Sequence, residues 1–99
     1  MTISQVTTKT NSLFKAFLLL KKADEVGRFC RDLMTEQEIE EFASRWEVAQ
    51  KLNEGKSQRD VSLKTGVSIA TVTRVNQWLK RGKNGYQLVL ERMSHHHLP

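Results

Sequence analysis

The sequence predicts an all-α protein with six helices. Three observations support this fold class: apolar residues recur at steps of three or four, residues that cap helices precede the periodic segments, and the single proline among 99 residues is the last one. A half-buried strand would show alternating apolar and polar residues, and no segment shows that pattern convincingly.

The first half of the chain contains three of the predicted helices. Residues 1–10 are polar and rich in threonine, which indicates a flexible N-terminal arm, and Asn11 can cap a first helix that runs to about residue 22. A second helix is expected over about 24–33. Thr35 and Glu38 have the spacing of a capping box, so a third helix begins there and ends near Glu54, before Gly55.

Apolar side chains are abundant on the first and third predicted helices. The third helix carries them at helical spacing, at Ile39, Phe42, Ala43, Trp46, Ala49 and Leu52. A chain of this length covers such a surface poorly when it folds alone. We therefore expect a homodimer, with a compact monomer as the alternative.

Residues 57–81 have the pattern of a helix-turn-helix. Ser57 and Ser68 can cap helices over about 58–64 and 69–81, and Gly66 lies in the turn, where a residue must tolerate positive φ. The points where the two helices meet need apolar or small residues. The sequence places these at Val61, Ser62, Val67, Val72 and Val75. A sixth helix is expected over about 84–93, which predicts a single helical domain over 11–94 and a tail at 95–99.

Basic residues concentrate in the second half of the chain. Residues 1–54 contain eight Lys or Arg and nine Asp or Glu, whereas residues 55–99 contain eight basic and two acidic residues. A basic surface confined to one part of a protein is typical of binding to a polyanion such as DNA. A solvated basic surface is the alternative.

Several functional classes lack support in the sequence. No apolar run approaches the roughly 20 residues of a membrane span, and the start lacks the order of a signal peptide. The single Cys30 cannot form an internal disulfide, which fits a reducing compartment. We therefore expect a cytoplasmic protein without a membrane partner. No catalytic constellation or phosphate-binding glycine loop is present, so we do not expect an enzyme.

The second helix of the motif, residues 69–81, is expected to enter the major groove of double-stranded DNA. Small side chains and hydroxyls at its start permit contact with base edges and thymine methyl groups, whereas lysine and arginine bind phosphates. The predicted DNA-binding residues are Lys56, Gln58, Arg59, Ser68, Ile69, Ala70, Thr71, Thr73, Arg74, Lys80 and Arg81.

The stretch from Met34 to Leu79 resembles the Trp repressor family. The matching segments are Met34-Thr35, Ser44-Arg45, Ser57-Gln58-Arg59 and Gly66-Val67-Ser68-Ile69-Ala70-Thr71-Val72-Thr73-Arg74. The resemblance implies a six-helix, intertwined homodimer that regulates transcription as a sequence-specific repressor. The continuation Val75-Asn76-x-x-Leu79 is similar to the YerC/YecD branch of that family.

The resemblance also implies a ligand site. The residues that match the family's tryptophan-binding residues are Thr35, Arg45 and Arg74. Three positions differ, because the family's glycine, serine and leucine are replaced by Val75, Trp78 and Asp32. We expect no required cofactor, an effector of unknown identity and little response to L-tryptophan. Tryptophan-dependent corepression is the alternative.

Two other features, a run of histidines and a cysteine, are weak evidence for metal binding or catalysis. His95, His96 and His97 are adjacent, but such tails are more often solvated, so no metal site is predicted. Cys30 lies in an apolar helical pattern, which favours core packing over nucleophilic chemistry. Two other functions remain open: a helical protein-interaction module with an incidental basic face, and a DNA-binding part of an enzyme such as a recombinase.

Overall fold

The computed structural model describes residues 7–95, and all regular structure within that range is helical. The six helices are α1 (Thr8–Phe17), α2 (Ala23–Leu33), α3 (Glu36–Asn53), α4 (Gln58–Thr65), α5 (Ile69–Arg81) and α6 (Gly85–His95). The predicted all-α class with six helices is confirmed. The bounds of α5 agree with the prediction at both ends, and those of α2 and α3 agree to within one residue.

The first helix differs most from its prediction. It begins three residues before Asn11, because the Thr7 hydroxyl accepts a hydrogen bond from the Thr10 amide at 3.0 Å and caps the helix there. It also ends at Phe17, where the chain continues into turns closed by bonds such as Leu18 N to Lys15 O at 3.1 Å. The apolar run after Phe17 predicts a helix to residue 22. That prediction is wrong, because Leu18 and Leu19 lie in a turn and are exposed.

The last helix also extends beyond its prediction. It includes His95, which the sequence placed in a tail, whereas residues 96–99 lie outside the described range. The predicted arm at residues 1–10 is described only from residue 7, and Thr8 to Thr10 belong to α1. The division into arm, single domain and tail otherwise stays a prediction.

The start of α3 has the predicted capping box. The Thr35 hydroxyl accepts from the Glu38 amide at 3.1 Å, and a Glu38 carboxylate oxygen accepts from the Thr35 amide at 2.8 Å. Two N–H groups that the helix itself leaves without partners are thereby satisfied. The first residue of α3 also receives the Arg31 guanidinium, which lies 2.6 Å from the Glu36 carboxylate.

Close contacts divide the chain into two units, one ending at Ile39 and one beginning at Glu40. In the first unit, the ring of Phe17 on α1 meets the ring of Phe29 on α2 edge to face, with centroids 5.2 Å apart. Leu18 and Leu19 remain 82% and 79% exposed, and Phe14 is about half exposed. No residue of α1 or α2 is fully buried within the chain.

The second unit contains the hydrophobic core. Its fully buried residues come from α3, α4 and α5, and they are Val48, Ala49, Val61, Val72 and Val75. Trp46, Leu52, Val67 and Tyr86 pack against this cluster. The rings of Trp46 and Tyr86 are stacked, with centroids 6.3 Å apart, and Gln87 Nε2 donates to the Leu79 carbonyl at 2.7 Å, so both contacts attach α6 to the core. Among the helices of residues 7–95, none is long and apolar enough to cross a membrane.

Candidate nucleic-acid interface

The turn between α4 and α5 has the geometry that the sequence predicts. Gly66 ends α4 with φ of 76°, and its amide donates to the Ser62 carbonyl at 3.0 Å. The left-handed region is open to glycine at little cost. Ser62 occupies one of the positions where the two helices meet and a small residue is needed. Its hydroxyl donates to the Val67 carbonyl at 2.7 Å, so it links α4 to the residue after the turn.

Serine caps define the starts of both helices of the motif. Ser57 Oγ accepts from the Asp60 amide at 3.1 Å, and Ser68 Oγ accepts from the Thr71 amide at 3.2 Å. Beneath them, Val61, Val72 and Val75 have no exposed surface. The two helices are therefore held by caps at their ends and by the core along their inner faces.

The predicted DNA-binding residues divide into two groups by exposure. The exposed ones are Arg59, Ser68, Ile69, Ala70, Arg74, Lys80 and Arg81. The half-buried ones are Lys56, Gln58, Thr71 and Thr73. The start of α5 is therefore an accessible surface of small and hydroxyl-bearing side chains, on which Ile69 is the large apolar residue.

One hydrogen bond joins two of the half-buried residues across the motif. Thr73 Oγ1, on α5, donates to Gln58 Oε1, at the start of α4, over 2.8 Å. The sequence predicted both residues as DNA contacts but gave no sign that they contact each other. They are 15 residues apart, so only the crossing of the helices brings them together.

The cations of this surface differ in how far carboxylates neutralise them. Lys56 Nζ lies 3.4 Å from a Glu54 carboxylate oxygen, and Lys64 Nζ lies 3.4 Å from Asp60. Within residues 7–95, no carboxylate forms an ion pair with the other basic residues of the predicted surface. Those residues are Arg59, Arg74, Lys80 and Arg81. The positive charge there is available to an anionic partner.

A groove collects several of these side chains on one flank of α5. It has a volume of about 430 Å³ and is bounded by the end of α3, the start of α4 and α6. Its polar lining includes Lys56, Gln58, Asn76, Lys80 and Gln87. We call it the flank groove. The sequence prediction missed Asn76, although this residue lies three positions after Thr73 on the same helix.

Arg45, a predicted ligand residue, packs against two aromatic rings of the chain. Its guanidinium carbon lies 5.5 Å from the ring centroid of Phe42 and 5.9 Å from that of Trp78. Both distances are typical of cation–π contacts. Burial raises the pKa of Tyr86, and the positive charge of Arg45 opposes that shift.

The remaining ligand candidates have other surroundings. Arg74 is exposed on α5, and Val75, which replaces the family's glycine, is fully buried in the core. In the first unit, Thr35 caps α3 and Asp32 is exposed. Cys30 is half-buried. Among residues 7–95, no cluster of His, Cys, Asp or Glu is arranged to hold a metal ion; His96 and His97 lie outside that range.

Comparison with known proteins shows relatives along nearly the whole described chain. Residues 8–94 match the model of the family described as Trp repressor protein. The uncharacterized protein YerC of Bacillus subtilis (strain 168) is 40% identical over 83 residues, which are 84% of this chain and 80% of YerC. The crystal structure of a TrpR-like protein from Eubacterium eligens is 40% identical, covers 94% of this chain and 96% of its own, and superimposes with a TM-score of 0.86. A crystal structure from Staphylococcus aureus has the same TM-score at 32% identity, with 95% of each chain covered.

Proposed function

Because the chain belongs to the Trp repressor family, within which it is similar to YerC, we propose that it is a sequence-specific DNA-binding regulator that represses transcription. In this proposal α5 enters the major groove of double-stranded DNA, and its start reads base edges. The basic residues around it bind phosphates. The protein is a regulator and not an enzyme.

The accessible start of α5 is the observation that carries the proposal. The exposed residues at the start of α5 are Ser68, Ile69 and Ala70. The inner face of this helix is held in the core by Val72 and Val75. Short side chains there allow the helix axis to approach the floor of a groove, and Ile69 can contact a thymine methyl group. The unneutralised cations nearby supply affinity that does not depend on sequence.

We further propose that the regulator is a homodimer. The support is the large apolar surface that one chain leaves exposed on α1 and after it, at Phe14, Leu18 and Leu19. A two-fold dimer would hold its two recognition helices about 34 Å apart, one turn of DNA, as in helix-turn-helix repressors generally, the Trp repressor among them.

Sedimentation at micromolar concentration tests the dimer. We expect twice the chain mass of 11.4 kDa for the wild type and a shift toward the monomer for Leu18→Asp, because an added carboxylate opposes burial of that surface. Leu63, which is 77% exposed on α4, supplies the matched control, and Leu63→Asp should leave the dimer intact. A wild type that sediments at the monomer mass, or equal effects of the two variants, would contradict the proposal.

Selection of binding sites from random duplexes, followed by salt titrations, tests DNA recognition. We expect a two-fold symmetric site with half-sites about 10 base pairs apart. The logarithm of affinity should fall linearly with the logarithm of salt concentration. Arg81→Ala should reduce that slope by about 1.8, because a dimer that loses one phosphate contact in each chain loses two. Arg28→Ala is the control, since Arg28 lies on α2 and pairs with Asp24 at 3.6 Å.

The outcome separates the proposed function from a protein-interaction module. A module whose basic face is incidental would select no common site from the random pool. Weak binding with the same slope for wild type and Arg81→Ala would also count against the proposal. The cytoplasmic location expected from the sequence is part of the same proposal, since the protein must reach chromosomal DNA.

For the effector, we propose that L-tryptophan does not control DNA binding. Trp78 supplies an indole from the chain itself beside Arg45, and Val75 is buried where close approach of a ligand to the backbone would need glycine. Arg74 is accessible on α5 and is available for DNA. Calorimetry with millimolar tryptophan, with and without DNA, should show no coupled binding. A dissociation constant of tens of micromolar together with tighter DNA binding would overturn this view.

A further inference from the structure

The link between α5 and α6 contains an asparagine that is followed directly by a glycine. These residues are Asn84 and Gly85, and both are exposed where residues 82–84 join the two helices. A backbone nitrogen can attack the side-chain amide of the residue before it and close a five-membered succinimide ring. Glycine favours that attack, because it has no Cβ to hinder the close approach of its backbone. The pair is therefore a candidate for deamidation.

The backbone nitrogen of Gly85 lacks the hydrogen bond that protects most helical amides. Gly85 is the first residue of α6, and the Leu88 amide donates to the Asn84 carbonyl at 3.0 Å. The amides of a first helical turn have no acceptor within their own helix. The hydrogen bonds formed within residues 7–95 include none from the Gly85 amide and none to the Asn84 side chain. Both reacting groups are therefore accessible and unrestrained by a partner.

The other asparagines of the chain differ at the nitrogen that would attack them. They are Asn11, Asn53 and Asn76, and each precedes a residue that has a side chain. The Glu54 amide donates to the Gln50 carbonyl at 3.1 Å. The amides of Ser12 and Gln77 lie inside α1 and α5, where each donates to the carbonyl four residues earlier. Steric hindrance and hydrogen bonding therefore both oppose the reaction at these three sites, and neither opposes it at Asn84.

Deamidation of Asn84 places a carboxylate in a stretch of the chain that has none. Residues 61–90 contain five Lys or Arg and no Asp or Glu. Two of the five, Arg81 and Lys83, are close neighbours of Asn84 in the chain and are exposed. Within residues 7–95, neither of them forms an ion pair with a carboxylate. A carboxylate at Asn84 therefore offsets positive charge at the end of α5 and repels an anionic partner there.

We propose that Asn84 is a site of deamidation, and that its conversion lowers the affinity of the protein for DNA. The Gly85 nitrogen gives its proton to hydroxide and attacks Cγ of Asn84. A C–N bond forms, while the side-chain nitrogen takes a proton from water and leaves as ammonia. Water then opens the succinimide at either carbonyl and yields aspartate or isoaspartate, so the net reaction consumes water and releases ammonia. The effect on DNA rests on the proposed function, whereas the reaction itself does not.

Peptide mapping by mass spectrometry tests the reaction on the full chain, incubated at mildly alkaline pH. We expect Asn84 to convert well before the other three asparagines, and faster as pH rises, because the attacking nitrogen must lose its proton. Gly85→Ala should slow the conversion severalfold, since a Cβ hinders the approach. The fold accepts this change, because no atom lies within 4 Å of the added carbon. An Asn84 that converts no faster than the other asparagines, or equal rates in wild type and Gly85→Ala, would overturn the assignment.

Affinity for a selected DNA site, measured with Asn84→Asp, tests the consequence for binding. We expect about threefold weaker binding at low salt, and a smaller difference at high salt, because exposed charges are screened over about 10 Å at 0.1 M. Asn84→Gly is the matched control, since glycine accepts the φ of 67° at this position and carries no amide to lose. Thermal melting should show no loss of fold in Asn84→Asp, because a carboxylate before α6 is favourable to the helix dipole.

Incubation under the conditions of the peptide map joins the two measurements. The wild type should lose affinity for DNA in step with the conversion of Asn84, whereas Asn84→Gly should keep the affinity of fresh protein. Equal affinities of Asn84→Asp and Asn84→Gly at low salt would overturn the effect on DNA while leaving the proposed function in place. If fresh wild type binds no DNA, the proposed function fails and the effect on DNA fails with it, while the peptide map by itself decides whether Asn84 is modified.

Discussion

Val75→Gly tests whether Val75 serves the hydrophobic core or occupies a ligand site. The resemblance to the Trp repressor family implies that glycine at this place lets a ligand approach the backbone. Here Val75 has no exposed surface and packs in the same cluster as Val48, Val61 and Val72. We therefore expect the substitution to destabilise the protein without creating a response to tryptophan.

The magnitude follows from burial and from helix propensity. The change removes three buried carbon atoms, and at about 0.8 kcal/mol each their transfer accounts for roughly 2.4 kcal/mol. Glycine inside a helix costs about 0.5 kcal/mol more than valine, because valine itself has a lower helix propensity than alanine. The sum, about 3 kcal/mol before any cavity term, is a large part of the 5 to 15 kcal/mol by which domains of this size are stable.

Urea unfolding followed by circular dichroism, at one fixed protein concentration, measures this loss. Gln77→Gly is the matched control, because Gln77 is exposed on the same helix and should show only the propensity cost of about 1 kcal/mol. A loss for Val75→Gly equal to that of Gln77→Gly would refute the assignment of Val75 to the core. Calorimetric binding of tryptophan by Val75→Gly, at tens of micromolar, would show that a ligand site lies beneath this side chain.

Three further predictions concern the glycine of the turn, the loss of stability at alkaline pH and the recognition of DNA bases. Gly66→Ala should lower the free energy of unfolding by about 1 to 2 kcal/mol, because φ is 76° there, although no atom lies within 4 Å of the added carbon. Gly27→Ala is the control, since Gly27 lies in α2 with equally open space and no positive φ. This control should raise the free energy of unfolding by about 0.5 to 1 kcal/mol in the same assay. Burial raises the pKa of Tyr86 in the folded state, so folding favours the neutral side chain. The contribution of this side chain to the free energy of unfolding is therefore fully present below its ordinary pKa of about 10 and is lost as pH rises through the folded pKa. Ultraviolet titration measures the pKa of Tyr86 directly, since the chain has one tyrosine. The loss of unfolding free energy at alkaline pH should be smaller in Tyr86→Phe. A titration at the ordinary tyrosine pKa would contradict this prediction. Arg59→Ala should weaken binding to a selected site more than to random DNA, whereas Lys80→Ala should weaken both equally, and paired affinity curves that show equal losses for Arg59→Ala would remove it from the base-reading set.

The sequence alone determined those features that depend on neighbouring residues. Ser57, Ser68 and the Thr35–Glu38 pair cap helices through bonds that span three residues, and Gly66 adopts the backbone angle that its missing side chain permits. Their spacing therefore predicts the helix starts, the turn and the bounds of α5. Apolar spacing within the motif likewise predicted the buried faces at Val61, Val72 and Val75, because a helix repeats its faces over a few residues.

Contacts between residues far apart in the chain depend on how the helices pack, which local spacing does not specify. Val48 lies outside the apolar series read along α3, yet it is fully buried because the helix-turn-helix packs on that side. The contact of Arg45 with Trp78 joins residues 33 positions apart, which no local pattern predicts, and it places an indole of the chain beside one of the residues that the resemblance implied for ligand binding. The bond between Thr73 and Gln58 requires α4 and α5 to cross. Local spacing specifies the helices and their faces, but the crossing of the helices specifies which side chains contact each other.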